Sequence, residues 1–271
     1  MRTFIQVGVI ALALLGWSAP AAAQWARHEP PGVPHTASGE VDVDAPAPRT
    51  PDGKPDLTGV WRGVNTFGGN QAEAPKFSEG APVAGFLDIA QNAKDGLPLR
   101  PEGAALLKAR KDASGKDNPE AACLPMGILQ FHTQGAPRKL IQTRDVLVIL
   151  YEASMGQRQI FMDGRSLPAD DPQPWWYGYS VGRWESDTLV VETAGLRDGG
   201  WLDVFGTPLT DAAKLTERFR RVSYGRMEID VTVDDPKVYT APWTVRVNQV
   251  LMPDEDLLEF VCLENQRYAV H

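Results

Sequence analysis

From Arg138 onward the chain alternates apolar and polar residues with a period of two and holds that period almost to its end. Met227, Ile229, Val231 and Val233 alternate with Glu228, Asp230, Thr232 and Asp234, the mark of a strand with one dry and one wet face. The same period predicts a hairpin of Lys139–Thr143 and Val146–Glu152 over Arg144-Asp145. Further strands are predicted at Arg158–Met162, Gly178–Trp184, Thr188–Ala194, Leu215–Val222, Arg226–Val233, Trp243–Leu251 and Leu257–Glu264. Turns at Asp163-Gly164-Arg165, Glu185-Ser186-Asp187 and Ser223-Tyr224-Gly225 separate several of them. Short antiparallel strands in succession read as a meander, and closing the meander into a barrel removes its exposed edges. The expected fold class is all-β, mainly antiparallel.

The departures from this period are informative. Leu147–Tyr151 is apolar on both sides and is expected to be covered twice, on its outer side by a helix near Ala104. That helix, Pro101–Arg110, starts on a proline and is the one accessory helix expected. Residues 111–137 read as irregular, pinned by Pro119, Pro125 and Pro137. Residues 24–56 are Pro-rich with little aliphatic content and read as a linker or draped arm, so the single barrel domain is expected to span 57–271, opening on Leu57–Trp61. Residues 1–23 have the form of a signal peptide. Arg2 gives a positive start, Phe4–Trp17 an apolar run too short to span a bilayer comfortably, and Ala21-Ala22-Ala23 a small-residue cleavage site. The expectation is an exported protein, periplasmic or secreted, cleaved after Ala23 and not membrane-spanning.

Charge narrows the partners. Lys and Arg number 27 against 35 Asp and Glu, a net of −8, and the balance turns more acidic once Arg2 leaves with the leader. That argues against nucleic acid and anionic membrane surfaces, which demand clustered cations. The one basic cluster, Arg218, Arg220 and Arg221, has Glu217 and the carboxylates of the next strand beside it and reads as a cross-strand ladder on an exposed face. Cys123 and Cys262 are the only cysteines. In an oxidising compartment they are best read as a disulfide tying the segment before the sheet to the last strand. The competing reading, a nucleophilic thiol, has only His132 to serve as its base.

Candidate chemistry is sparse. His132 is the single histidine inside the expected domain, because His28 and His35 lie in the arm and His271 ends the chain. No zinc set of histidines and cysteines assembles from that, and neither a metal nor a cofactor is expected. Carboxylates at Asp170-Asp171 or Asp234-Asp235 lack the spacing of a calcium loop. No Gly-x-Ser-x-Gly elbow and no phosphate-cradling loop occur. Glu152 ends an apolar strand and, if it points inward, desolvation raises its pKa toward a useful range. With Asp163, Arg158 and Arg165 it forms the candidate acid–base set, a carboxylate held by an arginine; a structural ion pair at a barrel rim is the plainer reading. Trp175, Trp176, Tyr177, Tyr179 and Trp184, with Trp61 in the first strand, form the candidate ligand-binding set. Rings on a loop entering a barrel can stack on a flat ligand, or can equally plug the core.

Two resemblances follow from these residues. Gly59-Val60-Trp61 followed by an antiparallel meander resembles the opening of lipocalin and calycin barrels, in which a tryptophan closes one end; a lipocalin-like meander barrel is what it implies. The running pattern PDLTGVW, CLPMG, MDGR, GYSVGRWESDTLVVET, ERFRR and DDPKVYTAPW resembles, over nearly the whole mature chain, an uncharacterised family of exported bacterial proteins. That resemblance implies one fold and one compartment and supplies no mechanism. Where that family carries histidines this chain has Leu167, Tyr179, Arg183 and Leu209. Three function classes stand: an exported barrel holding a small apolar or aromatic ligand, which is the expectation; an exported lyase, isomerase or hydrolase using Glu152 or Asp163 with Arg158 or Arg165; and an envelope interaction module with a filled barrel.

Overall fold

The computed structural model describes residues 28–64, 77–168 and 173–262. The signal-like residues 1–23 and the Asp170-Asp171 pair lie outside them. The strands are β1 (Gly59–Gly63), β2 (Arg138–Gln142), β3 (Val146–Tyr151), β4 (Gln157–Phe161), β5 (Tyr179–Glu185), β6 (Thr188–Ala194), β7 (Gly200–Trp201), β8 (Pro208–Leu209), β9 (Lys214–Ser223), β10 (Arg226–Asp234) and β11 (Trp243–Leu251). The helices are α1 (Pro101–Asp112) and α2 (Ile128–Thr133).

Nine strands close into a barrel in the order β1-β11-β10-β9-β6-β5-β4-β3-β2, while β7 and β8 form a separate ribbon. Around any closed ring the direction reversals must be even in number, so nine strands cannot all be antiparallel to their neighbours. The one exception is β4 against β5, which pair in parallel through Ile160↔Ser180 and Phe161↔Val181. The chain joining the two carries the aromatic run, of which residues 173–178 are described.

Strand phase places the core. In β10, Met227, Ile229, Val231 and Val233 are fully buried, as the alternation predicts. They face Arg221, Phe219, Glu217 and Leu215 of β9, one continuous inner surface. The outer side of this wall is partly dry as well, because the chain at 78–84 lies along it. Ser78 N–H donates to Glu228 at 2.7 Å, and Ala84 and Arg246 exchange backbone bonds through Arg246 O and Pro82 O.

One barrel end is closed by Trp61, which is fully buried, donates from its indole to Leu57 O at 3.0 Å and carries the Arg221 guanidinium 4.9 Å from its ring. The arm covers that end: Tyr224 and Gly225 donate to Ala45 O and Val43 O, and Arg49 pairs with Asp187. The other end is entered by α2, whose six residues are all buried. A helix buried all round needs protein on every side, and here the barrel supplies it. Two glycines make the fit: a Cβ on Gly63 would lie 2.9 Å from both Gln134 O and His132 O, and one on Gly127 would lie 2.2 Å from Trp201 O.

Several expectations are corrected. Residues 111–137 are not all irregular, since α2 lies within them. Helix α1 does not cover β3; it packs beside β8, with Gly103 against Val238 O and Arg110 over the Trp201 ring at 4.7 Å. No strand forms at 257–262, because β11 already pairs with β1 and leaves no edge to extend; the rest of that expected strand is outside the described residues. The Cys123–Cys262 disulfide is present, with Cα atoms 5.7 Å apart, and ties the chain before α2 to the C-terminal tail instead of to a strand.

Candidate functional site

The barrel interior is polar on one side. Arg158 shares the inward phase of Ile160 on β4, Ser180 and Thr193 are cross-strand partners on β5 and β6, and Glu217 shares the inward phase of Leu215 and Phe219 on β9. Their side chains meet. Arg158 donates from Nη1 to Glu217 Oε1 at 3.0 Å and from Nη2 to Oε2, to Thr193 Oγ1 at 2.8 Å, and from Nε to Ser180 Oγ at 3.1 Å. All three guanidinium nitrogens thus donate to oxygens of the inner wall. From α2, His132 places Nε2 2.7 Å from Glu217 Oε1. All five residues are at most 2% exposed.

Burial alone would raise the Glu217 carboxyl, but the Arg158 charge and the His132 hydrogen bond outweigh it and hold it at about 2. Burial lowers His132 from 6.5 to about 4 despite that same bond. The ring is therefore neutral at neutral pH, and its contact with Glu217 is a hydrogen bond from Nε2–H to the carboxylate, not an ion pair. Neutral His132 leaves Nδ1 as an acceptor, and that atom has no hydrogen-bond partner. Glu217 accepts three hydrogen bonds and is strongly acidic, so it is a fixed counter-ion and not a proton acceptor.

The expected acid–base residues do not come together. Arg158 is inside the wall. Glu152 is not inward: it is half-exposed beyond the end of β3 and accepts from Leu258 N–H at 2.8 Å. Asp163 and Arg165 are exposed and pair with each other across the turn at Gly164, with Arg165 Nε 2.8 Å from Asp163 Oδ1. The hydrogen bonds from Arg165 hold the Asp163 carboxyl below the usual range.

The expected ring set divides three ways. Trp61 and Trp184 belong to the closed end, Trp61 as its seal and Trp184 half-buried against the core near Lys54. Tyr177 turns inward, 5.6 Å from Phe131 and 6.3 Å from Tyr151, and Trp176 lies under Arg197. Trp175 and Tyr179 stay outside, with ring centroids 6.0 Å apart. Tyr179 stacks on Phe161 at 5.3 Å, the Arg165 guanidinium lies 4.0 Å from the Phe161 ring, and Arg165 Nη1 donates to Tyr179 Oη at 3.1 Å. The result is an outer shelf along the parallel seam, Trp175–Tyr179–Phe161, ending in the Arg165–Asp163 pair. Trp175 is 52% exposed, unusual for so large an apolar ring.

Of the expected exterior ladder, Arg220 pairs with Glu228 on the next strand, whereas Arg218 pairs with Glu185 on β5. Glu217 and Arg221 do not belong to it, because they point inward. Among the described residues no group of three or more His, Cys, Asp or Glu gathers as a metal set, and no helix is long and apolar enough to cross a membrane. Asp235 is committed to the backbone and hydroxyl of Thr210. Neither a protein-family model, nor a curated protein, nor a solved structure matches the chain.

Proposed function

We propose that this is an exported β-barrel protein that binds a small molecule bearing a flat apolar face, an aromatic ring or a sugar, on the outer shelf at the parallel seam. The observation that carries the reading is the exposed Trp175 ring in line with Tyr179 and Phe161, with the Arg165–Asp163 pair at the end of the row. Rings stack on the ligand face, and the ion pair offers donors and acceptors to its polar edge. Carriage inside an apolar chamber has less support, since α2 and the Arg158–Glu217 pair occupy the interior. Acid–base catalysis by Glu152 or Asp163 also has less support, one being tied to the C-terminal tail and the other held by Arg165. Export draws support from the disulfide.

The test is a thermal-shift and tryptophan-fluorescence screen of the mature protein against aromatic, terpenoid and sugar panels. A ligand at a hundred times its Kd adds about 2.7 kcal/mol. Trp175→Ala should abolish the response and leave stability within about 0.5 kcal/mol. Silence from every panel, or an undiminished response in Trp175→Ala, overturns the reading.

A further inference from the structure

The interior beneath α2 carries more positive charge than the protein balances. Arg138, fully buried and inward on β2, is the cross-strand partner of Tyr151 on β3. It has no carboxylate of its own: Nη1 donates to Phe131 O at 2.7 Å, Nη2 reaches His132 O at 3.5 Å, and Nε has no partner. Those carbonyls end a helix of six residues, and even a long helix presents only about half an elementary charge at its C-terminus. Glu217, the carboxylate in reach, is taken by Arg158 in a bidentate pair. Arg138 is lowered by burial to about 10, so it is still a cation at neutral pH.

Tyr151 adds a second unsatisfied donor. Its ring is fixed by stacking on Phe131 at 4.2 Å, its oxygen is engaged by the Arg158 guanidinium, its buried O–H finds no acceptor, and it lies within electrostatic reach of Glu217 and Arg138. A buried hydroxyl and a buried guanidinium N–H left unpaired each carry the desolvation cost of an unmade hydrogen bond. Their common need is an acceptor that carries negative charge. The half-buried Tyr177 ring contacts both Phe131 and Tyr151 and links this corner to the surface.

We propose that the corner between Arg138, Tyr151 and Arg158 is a second binding site, for the carboxylate of a small organic acid. Its oxygens accept from Arg138 Nε–H and Tyr151 O–H, and its charge offsets the guanidinium that Glu217 does not neutralise. The site is separate from the outer shelf, so either can fail alone.

The experiment titrates the full mature protein with sodium formate, acetate and benzoate at constant ionic strength, with chloride and acetamide as controls, following the melting temperature. At least one carboxylate should give a saturable rise that neither control gives. Tyr151→Phe, which keeps the ring packed on Phe131, should move the midpoint by about tenfold or more to higher concentration, while Trp175→Ala should leave it in place. Arg138→Met should abolish the response; because it risks the fold, Tyr151→Phe is the deciding variant. No saturable rise from any of the three acids, a rise matched by the controls, an unchanged midpoint in Tyr151→Phe, or a response lost in Trp175→Ala would each overturn the proposal.

Discussion

Arg158 and Glu217 face each other across the inside of the barrel, on β4 and β9, strands kept apart in the wall by β5 and β6. Neither side chain has a solvent-exposed atom of any consequence, at 1% and 0% exposure. A bidentate pair that spans two intervening strands fixes their relative height, and Ser180 and Thr193, on those strands, bond the same guanidinium. The pair is thus a brace through the polar half of the core, and it sets the position of His132 on α2.

Removing one partner should cost far more than removing both. Arg158→Met leaves Glu217 charged and buried, with an expected loss of about 3–5 kcal/mol, whereas Arg158→Met with Glu217→Leu should recover a large part of it. Chemical denaturation of the two single variants and the double variant gives the coupling energy directly. Additive losses would show that the pair is not a brace.

The barrel itself was open to reading from period two, since β10 and β11 alternate cleanly and every wall strand falls near its expected place. The interior was harder to see. Glu217 sits in the inward phase of Leu215 and Phe219, so the alternation already put it on the dry side, but the neighbouring arginines drew it into a surface ladder. Arg138 and Arg158 carry the same signal, long cations in an apolar phase. Helix α2 has no such signal: Ile128–Thr133 is too short to show a helical period, is buried all round, and is flanked by glycine and proline residues that mimic a loop. The shelf was half legible. The rings stood out by composition, yet which of them face outward depends on the parallel seam, and pairing between β4 and β5 is a non-local fact that no local pattern encodes.

The seating of α2 should be sensitive to a single methyl. In Gly63→Ala the new carbon meets Gln134 O and His132 O at 2.9 Å, and both are main-chain atoms that cannot rotate away. Overpacking of this kind costs about 1–3 kcal/mol. Near-ultraviolet circular dichroism should report a loosened Phe131–Tyr151 stack, and a variant as stable as the parent with an unchanged spectrum would mean that α2 is not wedged against β1.

Reduction should weaken the fold without dissolving it. The Cys123–Cys262 bridge closes a separation of 139 residues, for which chain entropy gives an upper figure of about 5 kcal/mol. The tail it holds adds few other contacts, with Leu258 61% exposed. Cys123→Ser with Cys262→Ser should therefore lower the denaturation midpoint while far-ultraviolet circular dichroism keeps its β signature. Loss of that signature at room temperature would make the bridge a condition of folding.

Acid should act through His132 before it acts through Glu217. The folded ring takes its proton only at about 4, against 6.5 when unperturbed, because burial opposes the charge. Between those values the unfolded chain binds the proton and the folded chain does not, so stability is full above about pH 6.5 and falls as the pH drops toward 4. Glu217, depressed from 4.5 to about 2, extends the loss in the same direction, since its stabilising contribution is present above 4.5 and disappears as the pH falls through 2. His132→Gln keeps a donor for Glu217 and removes the imidazole titration. The difference in melting temperature between parent and variant should therefore move against the parent as the pH goes from about 7 to about 4.5. A difference constant over that interval would mean that the buried imidazole titrates at its ordinary value and that the interior is wetter than the His132–Glu217 geometry requires.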